Sequence, residues 1–135
     1  MTTFQPYLFF VGTCREAMTH YQGILGGDLV VITAAEMPDA PPEVPADMVM
    51  HAALSVGDAL LLASDDPSGD ANGPKTGFSV SVDLPDVAEA NRVFDALADG
   101  GQVNLPVAAT SWSPAFGMVV DRFGIPWMVN ANPAA

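Results

Sequence analysis

Two stretches of the chain, residues 6–27 and 79–101, repeat the same order of apolar and polar positions. Each begins with an apolar run typical of a strand and continues with apolar residues at the spacing of one face of a helix. An offset of 73 superimposes the two helical stripes, which are Ala17, Tyr21 and Ile24 in the first stretch and Ala90, Phe94 and Leu97 in the second. The match predicts an internal duplication.

The ends of both predicted helices carry the same signals. Each helix begins with a cap residue and a glutamate three places further on, as in a capping box, and ends in a pair of glycines that can adopt the left-handed backbone of a helix end. These residues are Thr13, Glu16, Gly26 and Gly27 in the first stretch, and Asp86, Glu89, Gly100 and Gly101 in the second.

Strands are predicted before and after each helix. They cover residues 7–11 and 78–83 before the helices and 28–34 and 102–108 after them, and two hairpins then turn at residues 57–58 and 122–124. The order strand, helix, three strands therefore occurs twice. It predicts an α+β fold of two βαβββ modules that form a curved eight-stranded mixed sheet around a cleft, with the helices outside.

The whole chain, residues 1–135, is predicted to be one domain. Module 1 covers about 4–64, a turn-rich connector covers 65–77, and module 2 covers about 78–131. Residues 37–48 contain four prolines and are predicted to form a surface loop before the third strand.

Charge narrows the range of partners. Sixteen acidic residues against four basic ones give a formal net charge of −12. The simplest interpretation is that this charge keeps the protein soluble, and the alternative is that it favours a cationic ligand. Nucleic acids and anionic membranes require clustered lysine and arginine, and this chain has no such cluster. It also has no signal-peptide pattern and a single cysteine, Cys14, so we expect a cytoplasmic protein without disulfides.

Several stretches resemble one family. PYLFF, EAMTHYQGILGG, VMHAALSVGDALLLASD and FDALADGGQV resemble PhnB-like proteins, and the most specific pattern is FG-x-V-x-D-x-FG-x-x-W-M within SWSPAFGMVVDRFGIPWMVN. These proteins belong to the vicinal oxygen chelate superfamily, which includes glyoxalase I, bleomycin resistance proteins and extradiol dioxygenases. The resemblance implies the paired βαβββ fold and a homodimer that binds a small molecule. Some relatives carry a ubiquinone-pathway methyltransferase name, but this sequence has no glycine-rich strand-to-helix turn for a nucleotide methyl donor.

Metal-dependent members of that superfamily place His, Gln or Glu ligands in the first and last strands of each module. Alignment on the helices and turns puts these positions at Pro6, near Leu61, at Ser79 and at Met128. Pro and Leu side chains have no lone pair to donate, Met is a weak ligand, and a Ser hydroxyl is poor for Zn, Ni or Fe. We therefore expect no metal site and no cofactor.

Strand parity predicts the lining of the cleft as mainly apolar with two hydroxyls: Leu8, Phe10, Ser79, Ser81 and Met128. Trp112 and Phe116 come from an irregular segment that is expected to close over module 2. For Trp112 the alternative is core packing or a dimer contact.

His51 is the candidate acid or base, with Asp65 or Ser64 nearby. Pairing across the hairpin turn puts His51 opposite Ser64, on the other face from the expected lining position Leu61, which favours a structural or interface role. Cys14 begins the first helix, but no base partner is identifiable, so a plain buried thiol is expected.

The leading hypothesis is a metal-free small-molecule-binding homodimer whose ligand is cationic or aromatic. The alternative is a metal-independent lyase or isomerase that acts on a small metabolite with His51 as its acid or base.

Overall fold

The computed structural model describes residues 2–66 and 75–132. In this part of the chain, two compact units each follow the predicted order of strand, helix and three strands. Module 1 contains β1 (Tyr7–Phe10), α1 (Cys14–Leu25), β2 (Asp28–Thr33), β3 (Val49–Val56) and β4 (Ala59–Asp65). Module 2 contains β5 (Val80–Leu84), α2 (Val87–Ala98), β6 (Gln102–Ala108), β7 (Phe116–Val120) and β8 (Pro126–Ala131).

Each module forms one four-stranded mixed sheet. The strand order is β1-β4-β3-β2 in module 1 and β5-β8-β7-β6 in module 2. The first and last strands of each module pair in parallel, and the other neighbours are antiparallel. The predicted α+β fold of two βαβββ modules is therefore confirmed, with the eight strands divided into two sheets of four.

One face of each sheet is buried beneath the helix of its own module. Helix α1 packs on β2, β3 and β4, and α2 packs on all four strands of module 2. The six residues of the two predicted helical stripes are all buried, which confirms that the stripes face the sheets. The most buried strand residues alternate along their strands, as expected when only one face of a sheet is covered. They are Leu8, Phe10, Ala52, Leu54, Leu61 and Ala63 in module 1, and Val80, Leu84, Val119, Trp127, Val129 and Ala131 in module 2.

Helix α2 begins as the sequence predicts. The Asp86 carboxylate accepts the backbone N–H of Glu89 at 2.9 Å. The Glu89 side chain does not complete a capping box, because it forms an ion pair with Arg92 one turn further along the helix.

Helix α1 begins differently, and the predicted Thr13 cap is wrong. Thr13 has φ −115° and ψ 10° rather than the extended backbone of a usual cap, and its side chain makes no capping hydrogen bond. Asp65, at the end of β4, accepts the backbone N–H of Cys14 at 3.0 Å with one carboxylate oxygen. Its other oxygen accepts the backbone N–H of Val49 at 3.2 Å, so a single side chain joins α1, β3 and β4. Asp65 therefore belongs to β4, although the connector was predicted to begin there; most of that connector lies outside the described residues.

The two glycines after each helix have separate roles. Gly26 and Gly100 have φ angles of 78° and 80°, the left-handed region in which a helix ends at little cost. A Cβ on Gly27 would overlap the backbone carbonyl oxygen of Ser55, and a Cβ on Gly101 would overlap that of Val120. The second glycine thus allows the chain to enter β2 or β6 close to the backbone of the neighbouring strand.

The proline-containing loop is folded into successive turns. Backbone N–H groups of Ala40, Val44 and Met48 each donate to the carbonyl oxygen three residues earlier, at 3.1 to 3.2 Å. Pro38 and Pro42 occupy the second positions of the first two turns, where their fixed φ is favourable. The loop therefore returns the chain to β3 through turns rather than through an extended polyproline segment.

The hairpin between β7 and β8 is organised by the buried Asp121. Its carboxylate accepts the backbone N–H groups of Phe123 at 2.8 Å and Ile125 at 3.0 Å, and the indole N–H of Trp127 at 2.8 Å. Three donors explain how a carboxylate is accommodated with only 3% of its surface exposed. In the described part of the chain, neither α1 nor α2 is long and apolar enough to span a bilayer.

Gly27→Ala and Gly101→Ala are expected to lower the free energy of unfolding by about 2 kcal/mol or more, because the added methyl group meets backbone that cannot move aside easily. Gly23→Ala is the matched control, since a Cβ there meets no atom within 4 Å. This helical substitution should raise stability by roughly 0.5–1 kcal/mol. Urea denaturation followed by circular dichroism measures all three, and wild-type stability of Gly27→Ala would contradict the packing argument.

Candidate ligand-binding site

The face of the module 1 sheet that points away from α1 carries three aromatic side chains. Tyr7 and Phe9 alternate with the buried Leu8 and Phe10 along β1, so they lie on the opposite face. His51 lies on the same face of β3, because it is one residue away from the buried Ala52. Tyr7 and Phe9 are 39% and 51% exposed, which is unusual for large apolar rings on a sheet that has its own helix.

Tyr7, Phe9 and His51 form one group, which we call the aromatic cluster. The ring centroids of Tyr7 and Phe9 are 5.1 Å apart, and those of Tyr7 and His51 are 5.9 Å apart. The Tyr7 hydroxyl lies 3.2 Å from Nδ1 of His51, within hydrogen-bond distance. The cluster therefore offers π faces, a phenol and an imidazole within one patch.

The position of His51 corrects the parity used for module 1. His51 was assigned to the face opposite the expected lining, but Leu61, taken as a lining residue, is buried against the helix side. Leu8 and Phe10, also expected in the lining, are each only 2% exposed on that same buried face. Of the residues expected near the imidazole, Ser64 shares its face, whereas the Asp65 carboxylate is bound to the backbone N–H groups of Cys14 and Val49.

The physical reason is a difference of one residue between the modules. Three residues lie between Phe10, the last buried residue of β1, and the start of α1 at Cys14. Two residues lie between its counterpart Leu84 and the start of α2 at Val87. An alignment made on the helices is therefore one residue out of register in the first strands, and a shift of one residue exchanges the two faces of a strand.

In module 2 the two predicted lining residues that belong to strands are on the face away from the helix, and their role in binding a ligand stays a prediction. Ser81 and Met128 are adjacent across the β5–β8 pair and lie on the face away from α2, beside Asp83 and Asn130. The Asn130 side-chain amide donates to the Asp83 carboxylate at 3.1 Å. Ser79 lies just before β5 and is half-buried. This face is therefore more polar than the corresponding face of module 1.

Trp112 lies on a loop held in place by local hydrogen bonds. The Thr110 hydroxyl oxygen accepts the backbone N–H groups of Trp112 and Ser113, at 3.3 and 3.1 Å. The indole is 66% exposed and meets the ring of Phe116 edge-on, with centroids 5.7 Å apart. Core packing is thus not its role, and ligand closure and a dimer contact remain the two predictions for it.

The registers of the two sheets show which residues occupy equivalent positions. Tyr7 pairs with Leu62 as Ser81 pairs with Met128, so Tyr7 corresponds to Ser81 and Phe9 to Asp83. Continuing across the hairpins, His51 corresponds to Phe116. Within the described residues, the combination of Tyr, Phe and His is therefore found in module 1 alone.

The observed strand pairing also changes two of the four residues that correspond to metal-ligand positions, each by one place. The position in β4 becomes Leu62 rather than Leu61, and the position before β1 becomes Gln5 rather than Pro6. The side chains at the four positions are then an amide, an isobutyl group, a hydroxyl and a thioether, so one strong oxygen donor at most replaces the expected set. Among the residues that the structure describes, no three His, Cys, Asp or Glu side chains are grouped so that they could hold a metal ion.

A concavity that the sequence does not reveal lies at the carboxyl ends of β1 and β4. It has a volume of about 310 Å³ and is lined by Val11, Gly12, Pro45, Asp47, Met48 and Asp65. One of its two carboxylates, Asp65, already caps α1. The loop of successive turns brings Pro45, Asp47 and Met48 to this edge, beside Val11 and Gly12 that follow β1, which is why the concavity has no local sequence signal.

The sequence matches the family model described as 3-demethylubiquinone-9 3-methyltransferase over residues 2–130. Protein PA1353 from Pseudomonas aeruginosa is 42% identical, with 98% of each chain covered and a TM-score of 0.86. The PhnB protein from Bacillus cereus is 21% identical, with 97% of this chain and 100% of that chain covered and a TM-score of 0.79.

A protein of much lower sequence identity shares the same fold. A glyoxylase/bleomycin resistance protein/dioxygenase domain from Frankia sp. EAN1pec is 11% identical, with 100% of this chain and 95% of that chain covered and a TM-score of 0.69. At this identity the likeness concerns the fold alone. Together these matches confirm the resemblance to PhnB-like proteins and to the fold of the wider superfamily.

Cys14 is expected to be unreactive in the folded protein. Its side chain is fully buried, and this burial raises the pKa of the thiol from 9.0 to about 12; the Asp65 carboxylate adds to the shift and Arg15 opposes it. At pH 8 the reactive thiolate is therefore nearly absent. Dithionitrobenzoate should label no thiol in native protein and one thiol per chain in guanidinium chloride. Rapid labelling of the native protein would show that the thiol is accessible.

Proposed function

We propose that this chain, which belongs to the PhnB-like family described as 3-demethylubiquinone-9 3-methyltransferase, is a small-molecule-binding protein. It holds an organic cation on the aromatic cluster of module 1 without a metal. The observation that carries the proposal is the exposure of Tyr7 and Phe9, with their rings 5.1 Å apart, beside His51. Exposed aromatic rings grouped on one face form the kind of surface on which a flat or cationic ligand gains most contact.

Charge favours a cation as the occupant. The faces of Tyr and Phe rings attract a cation through their quadrupoles, by roughly 0.5–2 kcal/mol depending on how far the site is desolvated. The formal net charge of −12 adds a long-range attraction for cations and repels anions. Both terms act in the same direction, so an organic ammonium with an apolar body suits the cluster better than a phosphate or a carboxylate.

The chemistry of the side chains at the four metal-ligand positions supports binding without a metal. Leu62 cannot coordinate a cation, and Ser79 and Met128 are poor ligands for the transition metals that the superfamily uses. Gln5 alone retains a suitable oxygen, and its amide nitrogen donates to the Thr3 hydroxyl at 2.8 Å. Binding by stacking and burial requires no Lewis acid.

Methyl transfer, which the family description names, has little support in these residues. A nucleotide methyl donor would need a glycine-rich turn between a strand and the helix that follows it. Gly12 is the only glycine between β1 and α1, and the connection from Leu84 to Val87 contains none. Each sheet is also mixed rather than parallel and doubly wound.

The protein acts as a homodimer of single-domain chains in the cytoplasm. Trp112 and the exposed Val103 and Leu105 of the edge strand β6 supply apolar surface for contact between copies. A buried, unpaired Cys14 suits a reducing compartment. Analytical ultracentrifugation of wild type and Trp112→Ala decides the oligomeric state and whether that side chain contributes to it.

The direct test compares ligands that differ only in charge. Choline should raise the melting temperature and bind detectably by calorimetry, whereas its neutral isostere 3,3-dimethylbutan-1-ol should not. Tyr7→Leu and Phe9→Leu should each weaken binding roughly 2- to 30-fold, because each removes one π face. Phe4→Leu is the matched control, since Phe4 is 95% exposed and lies outside the cluster.

Equal binding of choline and the isostere, or full affinity in both cluster variants, would contradict the cation site. Elemental analysis of the same preparation belongs with this test. Stoichiometric Zn, Ni, Mn or Fe that is needed for binding would overturn the metal-free part of the proposal.

The alternative function, a metal-independent lyase or isomerase, is favoured by one observation: the Tyr7 hydroxyl lies 3.2 Å from Nδ1 of His51 and so could orient the imidazole as a base. Such a base would remove a proton next to a carbonyl group. Proton NMR in D2O should then show exchange of the C3 protons of 2-oxo acids in the presence of wild type and no exchange with His51→Gln. Phe4→Leu, at a side chain that is 95% exposed and outside the aromatic cluster, is the control that should keep the exchange. If wild type leaves the C3 protons unexchanged, this alternative is excluded for 2-oxo acids.

A further inference from the structure

We infer that Tyr7 holds His51 in the tautomer protonated at Nε2, so that the cluster presents one fixed hydrogen-bond donor and selects a cation that also carries a hydrogen-bond acceptor. The part that concerns the ligand rests on the proposed function, whereas the tautomer of His51 does not depend on it. It names Tyr7 as a positioning residue and Nε2 of His51 as the group that gives specificity.

Tyr7 reaches His51 across an intervening strand. Tyr7 pairs with Leu62 of β4, and Leu62 pairs with Ala53 of β3, two residues from His51. Strands two apart in a sheet are separated by about 9.5 Å, so the tyrosine side chain must extend over β4 to bring its hydroxyl within 3.2 Å of Nδ1. Ser64, on the same face of β4, is only 7% exposed, as expected beneath such a side chain.

The direction of this hydrogen bond follows from the chemistry of the two groups. A phenol is a good donor, and the unprotonated nitrogen of a neutral imidazole is a good acceptor. The phenol oxygen is a weaker acceptor, because its lone pair is delocalised into the ring. The arrangement in which Tyr7 donates to Nδ1 is therefore the favoured one.

If Nδ1 accepts a hydrogen bond, the neutral imidazole ring must carry its one proton at Nε2. In the part of the chain that the structure describes, Tyr7 is the hydrogen-bond partner of the ring, so Nε2–H is not used by another protein group. His51 is half-buried, and its ring lies 5.9 Å from that of Tyr7. A ligand seated against Tyr7 and Phe9 is thus next to one imidazole N–H of fixed position.

The ligand that matches this arrangement has an ammonium group for the π faces and an oxygen acceptor, such as a carbonyl, for Nε2–H. Module 2 lacks this feature, since Phe116 occupies the position equivalent to His51. The variant His51→Phe therefore keeps a ring that the same fold already accommodates at that position. It removes the Nε2–H donor together with the Nδ1 acceptor of the Tyr7 hydroxyl.

The tautomer is tested by NMR on protein labelled with 15N-histidine, at a pH at which the nitrogen chemical shifts show both imidazole rings to be neutral. The chain has only two histidines, so a His20→Gln variant assigns both rings. We expect long-range proton–nitrogen correlations to show a protonated Nε2 and an unprotonated Nδ1 in His51. Tyr7→Phe, which keeps the ring and removes the hydroxyl, should give a mixture of tautomers and leave His20 unchanged.

A proton on Nδ1 in the wild type would overturn the inference, and so would a spectrum of His51 that is the same in wild type and Tyr7→Phe. Both outcomes are independent of any ligand, so they separate this inference from the proposed function.

The ligand is tested with two cations that differ by one carbonyl group, phenacyltrimethylammonium and 2-phenylethyltrimethylammonium. The carbonyl compound should bind wild type roughly 2- to 10-fold more tightly, the range of one additional net hydrogen bond. His51→Phe should bind both compounds equally, and Tyr7→Phe should show a smaller preference than wild type. Equal binding to wild type would overturn the acceptor specificity, and no binding of either cation would overturn the ligand part together with the proposed function.

Discussion

The burial of one sheet face beneath one helix is the constraint on which the rest of this protein depends. Side chains alternate along a strand, so the burial of Leu8 and Phe10 beneath the helix places Tyr7 and Phe9 on the other face. The same alternation places His51 beside them, since its neighbour Ala52 is buried. The chemical character of the candidate site is therefore set by which residues the helix covers.

Duplication of this scaffold provides two such faces, and the chain uses them differently. At equivalent register positions, module 1 has Tyr7, Phe9 and His51, and module 2 has Ser81, Asp83 and Phe116. The faces beneath the helices are mainly apolar in both modules, because they pack against the apolar stripes of the helices. The sheet faces that point away from the helices do not pack against a helix, so their side chains can differ between the modules without a change of fold.

Local devices maintain the scaffold where the two halves differ. Module 2 caps its helix with the adjacent Asp86, whereas module 1 uses Asp65 from the last strand, which also holds Val49. Gly27 and Gly101 serve the same purpose in both halves, since each lies against the backbone of the neighbouring strand. Asp121 joins both strands of the last hairpin to Trp127 through hydrogen bonds that a carboxylate needs when it is buried.

The sequence by itself determined the order of elements, the duplication, the helical stripes, the Asp86 cap and the burial of Cys14. These features depend on residues close together in the chain, whose spacing repeats with the period of a helix or strand. Only the tertiary structure decided that Asp65 rather than Thr13 caps α1, and that His51 meets Tyr7 across β4. Both contacts join residues more than 40 positions apart, and the second depends on a one-residue difference before the helices that reverses strand parity. The spacing of residues in the sequence shows that side chains alternate along a strand. Which of the two alternating sets is buried is decided only by the packing of the helix on the sheet.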